Sequence, residues 1–360
     1  MSDRRDPVVD AADDGTDLYG VATWEPRSLL DKVAVLIYRG LVYGAHGIFL
    51  LVGVLLFVGI GGFSALTDPQ IGLLTALSAV PALALAGYVY LTDVTSGEPV
   101  ELLVPTFLLA ILTATFAAVI NSVAQAVLGF GGNSGLVLST VFFFLVVGPV
   151  EETVKLLAVR LYAYRDARFD TVVDGAVYGA VAGLGFAFIE NALFITRQID
   201  EAALGFGLDL IGAGGGITAV RALAGPGHVI YSAVAGYYLG LAKFNPDHRG
   251  PLVIKGLILA ASIHALYNST VGIGSGVLNA LVGFGQIGSF LAFVVVFDGF
   301  FGLLLLNKIR KYNSAFRTAS PASDGRRADE PRDATPDDRS RAETGPDAPA
   351  DDGPAPDENR

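Results

Sequence analysis

Long apolar runs separated by short polar stretches dominate the chain from about residue 45 to residue 307. A helix needs roughly 20 apolar residues to cross a bilayer core. Segments of that kind occur at 45–66, 71–92, 102–128, 135–159, 172–196, 222–243, 252–270 and 279–307. The pattern predicts an all-α, polytopic transmembrane helical bundle of about eight spans. A further apolar stretch, 203–220, is broken by glycines between Gly212 and Gly216 and reads as a re-entrant segment or loop.

Basic residues set the expected orientation, because lysine and arginine accumulate on the cytoplasmic side. Lys32 and Arg39 precede the first span, and Arg160, Arg165 and Arg168 follow the fourth. Lys243 and Arg249 follow the sixth, and Lys308, Arg310 and Lys311 follow the last. Eight spans with both termini in the cytoplasm put all four clusters inside. Two loops fit this less well: 197–221 would lie outside yet holds Arg197 and Arg221, and 93–101 would lie inside without a basic residue. The domain reading is a polar acidic tail over 1–30, about three spans over 31–130, a core of about five spans over 131–312, and an acidic tail over 313–360. Residues 316–360, rich in Asp, Pro, Ala, Arg and Ser, cannot bury enough apolar surface to fold and are expected to be disordered. No internal repeat is apparent, which argues against an inverted-repeat transporter.

Composition sharpens the picture. Only 16% of the 360 residues are charged while 52% are hydrophobic, where a soluble domain carries about a quarter charged residues. Mean hydropathy is +0.54. About half of the acidic residues lie in 1–30 and after Ala315, so the net charge of −11 is mostly a property of the tails. No basic patch argues for nucleic acid. The absence of cysteine excludes disulfides, thiolate catalysis and Cys-ligated metal. Met1 to Glu25 has no basic region followed by an apolar core, so it does not read as a cleavable signal peptide.

Ionisable groups inside a span cost about 2.5–3.5 kcal/mol each and are functional candidates by default. The fourth span carries Glu151, Glu152 and Lys155 just after Pro149. Glu151 and Lys155 share a face at i,i+4 and can pair, while Glu152 points about 100° away. The simplest structural account, a Glu151–Lys155 pair near the surface, leaves Glu152 unexplained. The fifth span has a stripe of Gly175, Gly179 and Gly183, which permits close helix packing, continued by Phe186 and Glu190. Glu190, followed by Asn191, should therefore face the bundle. His228 shares a face with Ser232 and Gly236, and His264 shares one with Asn268. A lone intramembrane histidine is more often a satisfied core residue than a catalyst. Two of them, each facing a polar neighbour in a chain with four histidines, reverse that expectation.

Carboxylates and histidines on four spans supply what peptide hydrolysis needs. A desolvated glutamate can take a proton from water, and imidazole or amide groups can stabilise an oxyanion. Glu190, His228 and His264 could instead hold zinc or another divalent metal, with a fourth position for water. No two of these three have the i,i+4 spacing of a helical zinc motif. The zinc-protease string HExxH is absent. Gly132-Asn133-Ser134-Gly135 matches a serine-protease string, but a helix-capping turn explains it more simply.

These motifs resemble those of the PrsW intramembrane proteases, distant relatives of the CAAX prenyl endoproteases. Glu151-Glu152-x-x-Lys155 is similar to the family's EExxK, and Phe186-x-x-x-Glu190-Asn191 to its FxxxEN. His228-x-x-x-Ser232-x-x-x-Gly236 resembles HxxxSxxxG, and His264-x-x-x-Asn268 the closing HxxxN. The resemblance covers about 148–268 and implies a helical bundle with endopeptidase activity on a membrane-anchored protein in the cell membrane. It makes Glu151, Glu152, His228 and His264 the candidate catalytic residues, supported by Lys155, Glu190, Asn191, Ser232 and Asn268. One conflict remains within the reading. The span boundaries put Glu151 near the cytoplasmic side and Glu190, His228 and His264 nearer the outside. A proton- or ion-coupled transporter would use the same residues as a relay strung across the bilayer, and a non-catalytic scaffold would tolerate their loss. Convergence on one cavity separates the protease from both.

Overall fold

The computed structural model of the chain describes the backbone of residues 8–9, 15–94, 97–129, 135–198 and 208–328, and the side chains of the same residues apart from 208–215 and 319–328. Gly132–Ser134, 203–207 and the tail from 329 onward lie outside the described residues. Two compact units are distinguished, Met1–Asn313 and Ser314–Arg360.

The long elements among the described residues are all helices: α1 (Leu29–Gly59), α2 (Gly62–Thr67), α3 (Pro69–Thr92), α4 (Val100–Leu128), α5 (Leu136–Phe142), α6 (Gly148–Leu161), α7 (Val172–Gln198), α8 (Leu208–Lys243), α9 (Arg249–Val282) and α10 (Gly285–Ala328). Among the described residues, seven stretches are long and apolar enough to cross a membrane: α1, α3, α4, 136–161, α7, 246–282 and 285–318. The 36-residue α8 runs antiparallel to α7, with Gly175 meeting Gly236 and Gly240, and Gly183 meeting His228. Together they agree with the expectation of about eight spans. Packing entirely in helices follows from the solvent, since lipid offers no partner to an open backbone group.

Three boundaries differ from the sequence reading. The first helix begins at Leu29, not residue 45, so Lys32 and Arg39 lie within it. The cause is a capping box, in which the Asp31 N–H donates to Ser28 Oγ and the Ser28 N–H to Asp31 Oδ2. The stretch expected as a loop over 203–220 is helical from Leu208 onward, as the first part of α8. Its glycines are tolerated because the membrane leaves helical bonds as the backbone's best option. At the far end, α10 continues to Ala328, beyond the expected onset of disorder at 316. Extending an established helix costs little once it is nucleated.

A π-helical turn, Phe143–Val147, joins α5 to α6. Pro149 has no N–H to offer the Leu145 carbonyl, and a widened turn is how a helix absorbs such a loss. α7 is the most buried of those seven stretches, packed among α3, α4, α6 and α8.

Candidate active site

Backbone contacts fix where the polar side chains stand. A Cβ on Gly183 would collide with the His228 carbonyl, on Gly179 with the Ser232 carbonyl, and on Gly175 with the Gly236 carbonyl. The glycine stripe thus lays α7 directly against α8, and Gly236 is small for the same reason. On the other side, a Cβ on Gly148 would lie 2.6 Å from the Ala261 carbonyl oxygen. α6 and α9 therefore touch one turn before Glu151 and His264.

These approaches bring the predicted groups from four helices to one place. Lys155 is wholly buried, and its ammonium donates to Glu152 Oε1 at 2.6 Å. It lies 3.9 Å from Glu151 Oε2, so the expected i,i+4 pairing is the weaker one and the i,i+3 partner wins. The same ammonium donates to His228 Nδ1 at 2.9 Å and sits 4.2 Å from the Phe186 ring centroid. Because an ammonium can only donate, His228 carries its proton on Nε2, which faces Glu190 Oε2 at 3.0 Å.

Glu152 is completely enclosed. Besides Lys155 it accepts from His264 Nδ1 at 2.9 Å and from Ser232 Oγ at 3.3 Å. All its neighbours are donors, which makes it an anchor. Glu151 differs. Its Oε1 accepts from Asn121 Nδ2 at 3.1 Å, while Oε2 is buried without a hydrogen-bond partner and stands 3.7 Å from His264 Nε2. With the His264 proton on Nδ1, that contact sets a carboxylate oxygen against an imidazole lone pair.

Glu151, His228 and His264 line a cavity of about 430 Å³ together with Glu190, Arg221 and Asn268. Glu152, Lys155, Ser232 and Asn191 lie behind this surface. Asn191 donates to Ser78 Oγ at 2.9 Å and accepts from Arg221 Nε at 2.8 Å, and Arg221 in turn ion-pairs with Glu190. The conflict over membrane depth disappears. α8 and α9 are longer than the apolar runs suggested, and His228 and His264 fall near their midpoints.

Ligand atoms of Glu151, His228 and His264 lie within 4.8 Å of one another. This candidate group shares His228 and His264 with the expected set of Glu190, His228 and His264 and has Glu151 in place of Glu190, which pairs with Arg221. The fit to a metal is good on two grounds. Glu151 Oε2 is an unsatisfied buried donor atom, and its 3.7 Å separation from His264 Nε2 is close to the roughly 3.4 Å edge of a tetrahedral zinc site. Glu152 on His264 Nδ1 is the carboxylate that orients a metal-ligating imidazole in such sites. To ligate, His228 would release either Lys155 from Nδ1 or Glu190 from Nε2.

Five further residues complete the site. Asn121 comes from α4, outside every motif. Arg221 stands within α8, which begins at Leu208, well before the apolar run at 222–243. Tyr231 and Tyr267 each follow a histidine by three positions. The Tyr231 ring stacks on His264 with centroids 5.3 Å apart, and its hydroxyl donates to Asp298 Oδ1 at 3.2 Å. Asp298 is a carboxylate in the last span, only 6% exposed. The cost of an intramembrane charge was the signal that could have found it.

Comparison with known proteins gives the family. Residues 98–299 match the PrsW family intramembrane metalloproteases. The protease PrsW of Halalkalibacterium halodurans is 32% identical over 197 residues, covering 55% of this chain and 82% of the relative. That of Bacillus subtilis is 32% identical over 190 residues, covering 52% and 78%. That of Clostridioides difficile is 26% identical over 194 residues, covering 53% and 76%. No solved structure matches. The chain belongs to the PrsW family of intramembrane metalloproteases.

Proposed function

We propose that this protein cleaves a peptide bond of a membrane-anchored protein substrate within the bilayer, with water activated at Glu151. The observation that carries the reading is the unsatisfied Oε2 of Glu151, buried yet lining the cavity and facing the lone pair of His264 Nε2. A carboxylate in that position can accept the proton of an attacking water. Asn268 lines the same cavity and is the amide available to donate to the developing oxyanion. Glu152 and Lys155 hold His264 and His228 in their present tautomers. Arg221 and Asn191 hold Glu190 against His228.

A divalent metal held by Glu151, His228 and His264 would supply Lewis-acid activation of the water, and Glu151 would then serve as ligand. In either form the chain's own residues orient the histidines, exclude bulk water and place a carboxylate beside the scissile bond. The convergence of these groups on one cavity favours proteolysis over an ion relay, which would distribute them along the membrane normal.

The test is cleavage of a panel of single-span substrates by the purified protein in vesicles, wild type against Glu151→Gln. Cleavage by wild type and its loss in the variant are expected. Equal cleavage by both would overturn the assignment of Glu151.

A further inference from the structure

α8, α9 and α10 enclose a groove of about 210 Å³ that shares no lining residue with the catalytic cavity. Its walls are Val234, Leu259, Ile263, Phe301 and Leu304, and it ends at Tyr237, Tyr238 and Lys308. Lys308 is the charged residue in that lining. Its ammonium lies 5.5 Å from the Tyr237 ring centroid and 5.2 Å from that of Tyr238. From α9, the ammonium of Lys255 lies 5.4 Å from the Tyr238 centroid. One buried tyrosine ring is thus flanked by two exposed lysines. Among the described residues neither lysine forms an ion pair.

We propose that this groove is a binding site for an anionic phospholipid, with one acyl chain in the groove and the phosphate between Lys255 and Lys308. The shape of the charge carries the argument. The site is apolar along its length and cationic at one end only, and an amphiphile with a negative head is its complement. From Phe301 to Lys308 the groove spans two helical turns, roughly 10 Å at 1.5 Å per residue, enough to order part of an acyl chain. The polar end lies where α8 finishes at Lys243 and α9 begins at Arg249, the depth at which headgroups meet a bundle. Lysine stems laid over aromatic rings keep their ammonium groups at that level. Isolated phosphate would gain nothing from the apolar walls, and a zwitterionic lipid would offset much of the attraction with its own cation.

The proposal is tested with the full chain in vesicles of equal parts phosphatidylglycerol and phosphatidylcholine. The vesicles are extracted in mild detergent, and retained lipid is counted by native mass spectrometry. Selective retention of phosphatidylglycerol is expected. It should fall about tenfold or more in Lys255→Gln/Lys308→Gln, the loss expected of two lysines at a charged headgroup. Leu304→Trp, which fills the groove from an exposed position and leaves both lysines in place, should lower retention as well. Equal retention of the two lipids would overturn the proposal, as would retention unchanged by the lysine pair. Thermal protection by inorganic phosphate equal to that by phosphatidylglycerol would show an anion site without a lipid, and would also overturn it. The readout does not depend on proteolysis, so the proposal can fail or succeed independently of the function proposed above.

Discussion

His264 donates its Nδ1 proton to Glu152 Oε1 at 2.9 Å, and this one bond decides what its other nitrogen can do. With the proton committed to Glu152, Nε2 presents a lone pair toward Glu151 Oε2 at 3.7 Å. Two adjacent glutamates on one helix therefore have different tasks. Glu152 fixes an imidazole from behind, and Glu151 faces the cavity.

The two glutamine substitutions should separate those tasks. Glu151→Gln keeps an oxygen for Asn121 and removes the charge at Oε2. Activity should fall about 10²–10⁴-fold, the usual worth of a positioned base, with thermal stability near wild type. Glu152→Gln strands the buried ammonium of Lys155, and losing one partner of a buried ion pair typically costs about 3–5 kcal/mol. Cleavage and melting temperature should therefore fall together. Wild-type stability in Glu152→Gln would contradict the anchoring role.

Metal binding distinguishes two ligand sets. Purified protein should bind about one zinc ion, a strong chelator should abolish cleavage, and zinc should restore it. His264→Ala, His228→Ala and Glu151→Ala should lose the ion. Glu190→Gln should retain it, because Glu190 is held by Arg221. Glu152→Ala should weaken affinity about 10–100-fold, as expected for a group that orients a ligand. Elemental analysis after dialysis checks each case. Full activity in protein shown to be metal-free would leave the glutamate as sole activator of water.

How far the site could be read from the sequence depended on whether each residue sat in a periodic pattern. Glu151, Glu152, Glu190, His228 and His264 were legible because charge and imidazole stand out against apolar spans, and spacing gave their faces. The spacing could not say which glutamate Lys155 would choose, since i,i+3 and i,i+4 are both neighbours. Asn121 was invisible, because no charged or imidazole residue stands beside it at helical spacing, as Glu190 does for Asn191 and His264 for Asn268. Arg221 was lost to a boundary error: glycines near 212–216 look like a loop in water and form a helix in lipid. The start of α1 at Leu29 could have been read from Ser28 and Asp31, but hydropathy alone hid it.

A different carboxyl group should set a pH dependence of stability. Glu98 lies in the connection before α4, and burial pushes its pKa up from 4.5 to about 8. The Tyr178 hydroxyl donates to it and opposes the shift, while Asp174 and Asp93 reinforce it. The folded state therefore holds a proton that the unfolded state releases near pH 4.5. This favours folding at low pH, and the advantage is lost as pH rises through the folded value. Melting temperature should decline between about pH 4.5 and 8, the unfolded and folded values, and level off above. Glu98→Gln, which stays neutral, should flatten that decline. An unchanged slope in the variant would assign the dependence elsewhere.

The glycine stripe offers the sharpest test of how packing positions the site. Gly183→Ala would drive a methyl group into the His228 carbonyl, and neither helix can yield cheaply because the contact is backbone against backbone. Inserting a methyl into a packed core typically costs about 1–3 kcal/mol. Here the strain falls on the residue that carries an imidazole between Lys155 and Glu190. Any separation of α7 from α8 lengthens the 3.0 Å contact of His228 Nε2 with Glu190. Gly183→Ala should therefore lower kcat more than its loss of stability accounts for, when both are measured at a temperature where the variant is folded. Gly87→Ala is the control. Gly87 is also helical, but a Cβ there meets nothing within 4 Å, so the change should be neutral or stabilise by about 0.4–1 kcal/mol. If both substitutions leave kcat unchanged, close contact between α7 and α8 is not what holds His228 in place.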